Sequence, residues 1–302
     1  MPGRVGAFKS EAARAHFRTR YEATMAPLPP SEPVDVPTSF GTVRAYRFTG
    51  GTDKTPALLL SGRNASTPMW HTNLVPLLPH RPVICVDPLG EPGMSVQTAP
   101  ITGPHDEARW LDETIAGLAL PRVHLMGVSI GGWTAANYGV HHHDRAASLV
   151  LLDPVLTFAP IAAKAVLASP ALFLPGVPTA LRRRVMRWIA GGAEVDDAPE
   201  AALIAAGSTD YAIRKPMPKR LTDNQLRSLR MPVLALMAGR SVMHDATRAA
   251  ERARNTLASG QVELWADASH AINGEYPERI AARAARFWDD ADQPCDLATS
   301  VE

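Results

Sequence analysis

The chain has 302 residues, 46% of them hydrophobic and 20% charged, an ordinary soluble balance with enough length to bury a large core around one sheet. A formal net charge of +1 supplies no field to recruit nucleic acid or an anionic membrane surface, and no apolar run approaches the ~18–20 residues of a membrane span. Two cysteines, Cys85 in an apolar run and Cys295 in a polar tail, make neither a disulfide framework nor a zinc site, so a cytoplasmic location is the default expectation and composition is silent on oligomeric state.

Residues 1–33 read as an N-terminal helical extension. Arg4, Lys9, Arg14, Arg18 and Arg20 are present without the apolar stretch of a secretory signal. Ser10 to Met25 has the pattern of an amphipathic helix capped by Ser10, and Pro27, Pro29, Pro30 and Pro33 predict a stiff connector. Thr38 to Phe48 alternates around Gly41 and predicts a hairpin. Ala57–Leu60 is a buried strand, followed by a polar loop, Ser61-Gly62-Arg63-Asn64-Ala65-Ser66, and a short helix over Met69–Leu78. Pro82 to Val86 is another strand. It ends in Asp87-Pro88-Leu89-Gly90-Glu91-Pro92-Gly93-Met94-Ser95, where Gly90 and Gly93 allow a sharp turn and Asp87 is expected to tie the loop down. Asp106 to Leu118 predicts a helix with Ala108, Leu111, Ile115 and Leu118 on one face.

The stretch Val123–Trp133 carries the chemistry. An apolar run leads into Gly127-Val128-Ser129-Ile130-Gly131, and a helix-compatible segment follows. That is G-x-S-x-G between a strand and a helix, the context in which the serine is lifted out of the sheet on a tight turn. Side chains at 127 and 131 would collide with backbone there. The Ile130 N–H then sits at a helix N-terminus, where it can donate to an oxyanion.

His141, His142 and His143 end the following helix. Neighbours in sequence point in different directions, so they do not converge on one metal ion. Ala147 to Leu152 is the next strand, ending at Asp153-Pro154. From Val155 to Asn224 proline-broken helices appear with no strand pattern, which predicts an inserted helical cap, 155–224, between core segments 34–154 and 225–288. Within it Arg182, Arg183, Arg184 and Arg187 form a basic stripe, a candidate surface for an acyl carrier protein and otherwise a solvated helix face. Pro232–Met237 resumes the sheet, a helix runs to Leu257, Val262–Trp265 is a last strand, and Pro277–Trp288 is a closing helix before a frayed tail, 289–302.

A serine is a poor nucleophile unless a base takes its proton. The base should come from the C-terminal end of another parallel strand. His270, after the last strand, fits; His244, after the preceding one, is the second choice. The loop after the first parallel strand should provide a second oxyanion donor, the Arg63 N–H in first place and that of Asn64 in second.

On LLLSGRNAS, VDPLGEPGMS, GVSIGGW and ASHAINGEYPERI, in this order, the chain resembles the α/β-hydrolase fold superfamily in its carboxylesterase and C–C hydrolase-like branch, from about Phe40 to Trp288. The resemblance implies an α/β architecture, a mostly parallel sheet flanked by helices with the helical cap inserted. Two departures stand out. The usual His-Gly of the oxyanion loop is Ser61-Gly62. The usual acid after the glycine that follows the cap is missing from Gly239-Arg240-Ser241-Val242. Some branches of this fold carry their acid one strand earlier, which favours Asp153 as the acid over Asp245, whose position also suits a helix N-cap.

The resulting expectation is a serine hydrolase of carboxylic esters, thioesters or lactones. Ser129, His270 and Asp153 would form the triad, Ile130 and Arg63 would line the oxyanion hole, and no metal or organic cofactor would be required. The cap residues Phe158, Ile161, Leu167, Leu172, Phe173 and Trp188 would cover an apolar small-molecule substrate or pack within the cap. An acyltransferase, a cofactor-free lyase or C–C hydrolase on the same triad, and a non-catalytic binding protein are the alternatives.

Overall fold

Short uninterrupted apolar runs build the centre of the molecule, because a parallel strand covered on both faces has no polar side to show. The computed structural model describes residues 5–173, 177–192 and 199–293. Its chain order begins with β1 (Ala7–Phe8), α1 (Glu11–Met25), β2 (Ser31–Thr38), β3 (Gly41–Phe48), β4 (Ala57–Leu60), a 3-10 turn at Thr67–Trp70, α2 (His71–Leu77), β5 (Val83–Val86) and β6 (Val96–Gln97). It continues with α3 (Pro104–Gly117), β7 (Val123–Val128), α4 (Ile130–His141) and β8 (Ala146–Leu152). The segment after β8 holds α5 (Ala163–Ala168), α6 (Pro170–Phe173), α7 (Thr179–Ile189), α8 (Pro199–Asp210), β9 (Tyr211–Ala212) and α9 (Asp223–Arg227). The sheet then resumes with β10 (Val233–Ala238), α10 (Ala246–Thr256), β11 (Gly260–Trp265), α11 (Ile272–Glu275) and α12 (Pro277–Asp292).

The main sheet runs β11-β10-β8-β7-β4-β5-β3-β2, with β6 beside β3. The pairs from β5 through β4, β7, β8 and β10 to β11 are parallel, and the β2-β3 hairpin joins antiparallel. One apolar layer gathers Trp110, Trp133 and Tyr138 from α3 and α4; the opposite layer gathers Trp70, Phe287 and Trp288 from the 3-10 turn and α12. The C-terminal ends of the parallel strands therefore open on one edge, where β4, β7, β8 and β10 lie side by side. No described helix is long and apolar enough to cross a membrane.

Four sequence expectations change. The proline-rich stretch is a connector only as far as Pro30. Ser31–Thr38 is a full strand, with Pro33 opposite Tyr46 and Pro37 opposite Thr42. The prolines survive because β2 is an edge strand, which can spare an N–H. The inserted segment does contain a strand: Tyr211–Ala212 pairs antiparallel with Ala7–Phe8, a two-residue contact too short to leave a periodic pattern. Only His141 of the three histidines is helical, His142 being the C-cap of α4. The closing helix also runs past Trp288 to Asp292; Cys295 lies outside the described residues.

The N-terminal helix forms as its cap predicts: Ser10 accepts the Ala13 N–H at 3.1 Å. It packs on α8 and sends Tyr21 inward to donate to Asp87 at 2.9 Å. Asp87 also accepts the Thr67 and Met94 N–H groups at 2.9 and 2.7 Å, so it does tie down the loop after β5. Burial raises its pKa above the ordinary carboxylate value.

Candidate active site

Ser129 stands at the end of β7 with φ 56° and ψ −120°, a strained conformation for a residue with a Cβ. The surroundings hold it there. Its N–H donates to Leu152 O at 3.0 Å, and its carbonyl accepts from Gly132 at 3.1 Å and Val155 at 3.2 Å. The flanking glycines are required by space. A Cβ on Gly127 would stand 2.2 Å from Gly131 O, and one on Gly131 would stand 2.1 Å from Leu60 O. Ser129 is the N-cap of α4, and the Ile130 N–H is the first of its unpaired helix donors.

His270 lies in the loop between β11 and α11. Ser269 anchors that loop by donating its N–H and hydroxyl to Glu275 at 2.7 and 2.6 Å. His270 Nε2 is 3.0 Å from Ser129 Oγ, and Nδ1 is 2.6 Å from Asp153 Oδ2. With its proton on Nδ1, the ring donates to the carboxylate and accepts from the hydroxyl.

Asp153 comes one residue after β8, fully buried and at φ 41°. Its Oδ2 also accepts the Ser241 hydroxyl at 2.6 Å, and its Oδ1 accepts the Ala238 N–H at 3.1 Å. His244 Nε2 stands 3.2 Å from Oδ1, off the line of a proper hydrogen bond. Burial by itself would raise the pKa of this carboxyl; the two imidazoles facing it outweigh burial and hold it well below the usual carboxylate range. The other candidate acid is elsewhere. Asp245 caps α10 by accepting the Arg248 N–H at 3.0 Å, which is a sufficient reason for a carboxylate there.

The loop after β4 lies against the serine: a Cβ on Gly62 would stand 3.5 Å from Ser129 Cβ. The turn is closed by Ala65 N–H to Gly62 O at 3.2 Å and by the Ser61 hydroxyl to Ala65 O at 2.9 Å. The Asn64 N–H is already taken, donating to Glu91 Oε2 at 3.1 Å. Among the described residues, neither the Arg63 nor the Ile130 N–H donates to a protein acceptor.

The structure thus brings Ser129, His270, Asp153, Arg63 and Ile130 to one edge of the sheet and leaves Asp245 outside. His244 arrives in another role, facing the acid and making no contact with the serine. Sequence reasoning did not find Ser241, Glu275 or Glu91. Ser241 had a signal, since it occupies the place where the resembled family carries its acid. Of the expected cap residues, Phe158 is buried in the core, Ile161 packs at its edge and Leu167 is 80% exposed, facing solvent. Lys164 stands over the Trp188 ring, and the side chains of Leu172 and Phe173 lie outside the described residues. In α7, Arg183 and Arg184 are exposed, whereas Arg182 and Arg187 are half-buried and engaged with other groups.

Residues 57–283 match the model of a family described as the alpha/beta hydrolase family. The uncharacterized carboxylesterase nap of Bacillus subtilis (strain 168) is 27% identical over 267 residues, covering 84% of this chain and 85% of that one. Carboxylesterase YbfK of the same organism is 25% identical, covering 93% and 96%. The fold superimposes on the crystal structure of the B. subtilis naproxen esterase, carboxylesterase NP, with a TM-score of 0.85 at 24% identity, over 93% of this chain and 99% of that one.

Proposed function

Since this chain belongs to the alpha/beta hydrolase family, we propose that it is a serine hydrolase of the carboxylesterase class, working through an acyl-enzyme on a small-molecule carboxylic ester. The observation that carries this reading is the unbroken relay from Ser129 Oγ to His270 Nε2 at 3.0 Å and from His270 Nδ1 to Asp153 at 2.6 Å, set on a strained strand-to-helix turn.

Ser129 attacks the ester carbonyl while His270 Nε2 takes its proton. The buried Asp153 carboxylate stabilises the imidazolium that forms and keeps the ring oriented. The Ile130 and Arg63 N–H groups receive the oxyanion, each worth about 2.7–4 kcal/mol in the transition state. Asn64 is unsuited to that task because its amide is committed to Glu91. His270 then protonates the departing alcohol and activates water for deacylation. Residues 155–224, inserted between β8 and β10 whose ends carry Asp153 and Ser241, would act as the cap over the acyl group. Gly191 of this segment reaches the site: its carbonyl accepts Arg240 at 2.8 Å, and a Cβ there would meet Ser269 at 2.4 Å.

The test is fluorophosphonate labelling beside hydrolysis of a p-nitrophenyl ester series. Labelling and turnover are expected in the wild type and absent from Ser129→Ala. A folded wild type that neither labels nor turns over any chain length refutes the acyl-enzyme reading.

A further inference from the structure

Behind the loop Ser61–Ser66 lies a buried cluster of charged side chains that the reaction scheme leaves unused. Glu91 is 2% exposed. Its Oε2 accepts the Asn64 N–H at 3.1 Å; its Oε1 stands 3.4 Å from Lys215 Nζ and 3.9 Å from Arg63 Nη1. Lys215 Nζ is also 3.1 Å from Glu107 Oε1 and donates to Leu89 O at 3.3 Å. The other oxygen of Glu107 accepts the Trp110 indole N–H at 2.8 Å. Two carboxylates, one ammonium and one guanidinium balance, as they must where an unpaired charge would be costly. Burial draws the Lys215 proton affinity down, and Glu107 and Glu91 more than restore it, so the lysine is charged.

The cluster is placed to act on the loop rather than merely beneath it. Asn64 has φ 59°, in the left-handed region that asparagine adopts more readily than other non-glycine residues. On the inner side the turn is tied by Ala65 to Gly62. On the outer side the Asn64 N–H ties its backbone to Glu91, and the Arg63 guanidinium stands 3.9 Å from the same carboxylate. The Arg63 amide sits between these two ties. Glu91 is in turn held by Lys215, which comes from the inserted segment, three residues after β9.

We propose that Glu91 and Lys215 are positioning residues for the oxyanion loop: Lys215 fixes the Glu91 carboxylate, Glu91 holds the Asn64 amide, and the Arg63 N–H is thereby aimed at the carbonyl oxygen of an ester seated on Ser129. The inference rests on the reading of Arg63 as an oxyanion donor. It also couples seating of the inserted segment to the geometry of the hole, since the lysine arrives with that segment.

A purely structural ion cluster makes a different prediction, which Glu107 exposes. Glu107→Gln disturbs the same lysine from α3, through a carboxylate whose hydrogen bond goes to Trp110 rather than to the loop. A donor displaced by an ångström costs on the order of 10²-fold, so Lys215→Met and Glu91→Leu are each expected to lower kcat by about 10–100-fold, with KM moving far less. Lys215→Arg, which keeps the charge, is expected to restore most of kcat. Glu107→Gln is expected to lower Tm but to keep kcat near the wild-type value. Amide exchange in the peptide spanning 61–66, followed by mass spectrometry, is expected to speed up in Lys215→Met and Glu91→Leu and to stay unchanged in Glu107→Gln.

Should Glu91→Leu fail to fold, Glu91→Gln, which keeps the acceptor but loses the charge that Lys215 grips, is expected to fall between wild type and Lys215→Met. Folded Lys215→Met with wild-type kcat overturns the proposal. So does a Glu107→Gln loss of kcat as large as that of Lys215→Met, or unaltered exchange in the 61–66 peptide. A wild type that neither hydrolyses esters nor takes the phosphonate overturns the underlying hydrolase reading instead, and the exchange comparison still decides whether the brace exists.

Discussion

Replacing Asp153 by asparagine tests the acid by exchanging one carboxylate oxygen for an NH2 with almost no change in volume. The amide has one oxygen and one NH2 to place among the partners of the carboxylate. Oδ1 accepts the Ala238 N–H, a backbone donor that cannot turn away, so the amide oxygen must take that side. The NH2 then occupies the Oδ2 position, 2.6 Å from His270 Nδ1, and donates to it. That forces the ring proton onto Nε2, facing Ser129 Oγ, and the histidine can no longer serve as the base. The wrong tautomer, together with loss of the charge that stabilises the imidazolium, is worth about 10⁴ in kcat, or about 5.5 kcal/mol of transition-state free energy. The assay is steady-state hydrolysis of a p-nitrophenyl ester with the rate of fluorophosphonate labelling in parallel; both should fall together. Asp245→Ala is the control. It removes the N-cap of α10 and should cost about 1 kcal/mol in urea unfolding while leaving kcat unchanged. If Asp153→Asn keeps more than about a tenth of wild-type kcat, or Asp245→Ala loses most of it, the tautomer argument is wrong.

Two further outcomes follow from packing and burial. Gly131→Ala puts a Cβ 2.1 Å from Leu60 O and 2.6 Å from Ser61 O, backbone atoms that cannot step aside, so a loss on the order of 3 kcal/mol or more is expected in denaturant unfolding; a variant as stable as wild type would contradict the close approach. At the other end of the strands, buried His124 bonds Ser148 and Asp292, and burial with the nearby Arg81 charge lowers its pKa from 6.5 to about 4. The unfolded imidazole accepts a proton that the folded one refuses, so this stability is complete above pH 6.5 and drains as pH falls toward 4, by about 3 kcal/mol. Urea unfolding at the two ends of that window should show a steeper loss in wild type than in His124→Asn, and equal slopes would refute the assignment.

What could be read from the amino-acid string was whatever a single local segment determines. ALLL, VICV, VHLMGV and AASLVLL became strands because continuous apolarity leaves them no exposed face, and the Gly127 and Gly131 contacts explain why the turn around Ser129 has its composition. What escaped depends on partners far apart in the chain. The Glu91, Glu107 and Lys215 cluster draws on three elements, each contributing one charged residue that would pass for a surface position. The β1-β9 pair is two residues long and has no period to detect. Ser31–Thr38 was masked by its prolines, whose cost vanishes once the strand is known to lie at the edge. Leu167 was misplaced for the opposite reason, since an apolar residue on a short helix has no pattern that separates a lining side chain from an exposed one.

The proposed place of the acid, at the end of β8 rather than in the loop after β10, is intelligible from the sheet. The base needs a carboxylate oxygen near its Nδ1, and that requirement concerns a point in space rather than a place in the chain. β8 and β10 are parallel neighbours in register, Leu152 opposite Leu236, and the Asp153 N–H donates to Leu236 O at 2.8 Å. The two strand ends therefore reach the same point from adjacent tracks. Reaching it from β8 requires the chain to turn at once, in keeping with the φ of 41° at Asp153. It also leaves the loop after β10 with a position beside the carboxylate but no charge to place there. A second acid at 241 would stand at hydrogen-bond distance from Asp153, and two like charges so close in a dry site would force one to hold a proton. Serine resolves this: its hydroxyl donates to Asp153 Oδ2 at 2.6 Å, so position 241 supports the carboxylate rather than competing with it. On the proposed reading Asp153 and Ser241 form one unit, and placing an acid at 241 would require removing it from 153 in the same molecule.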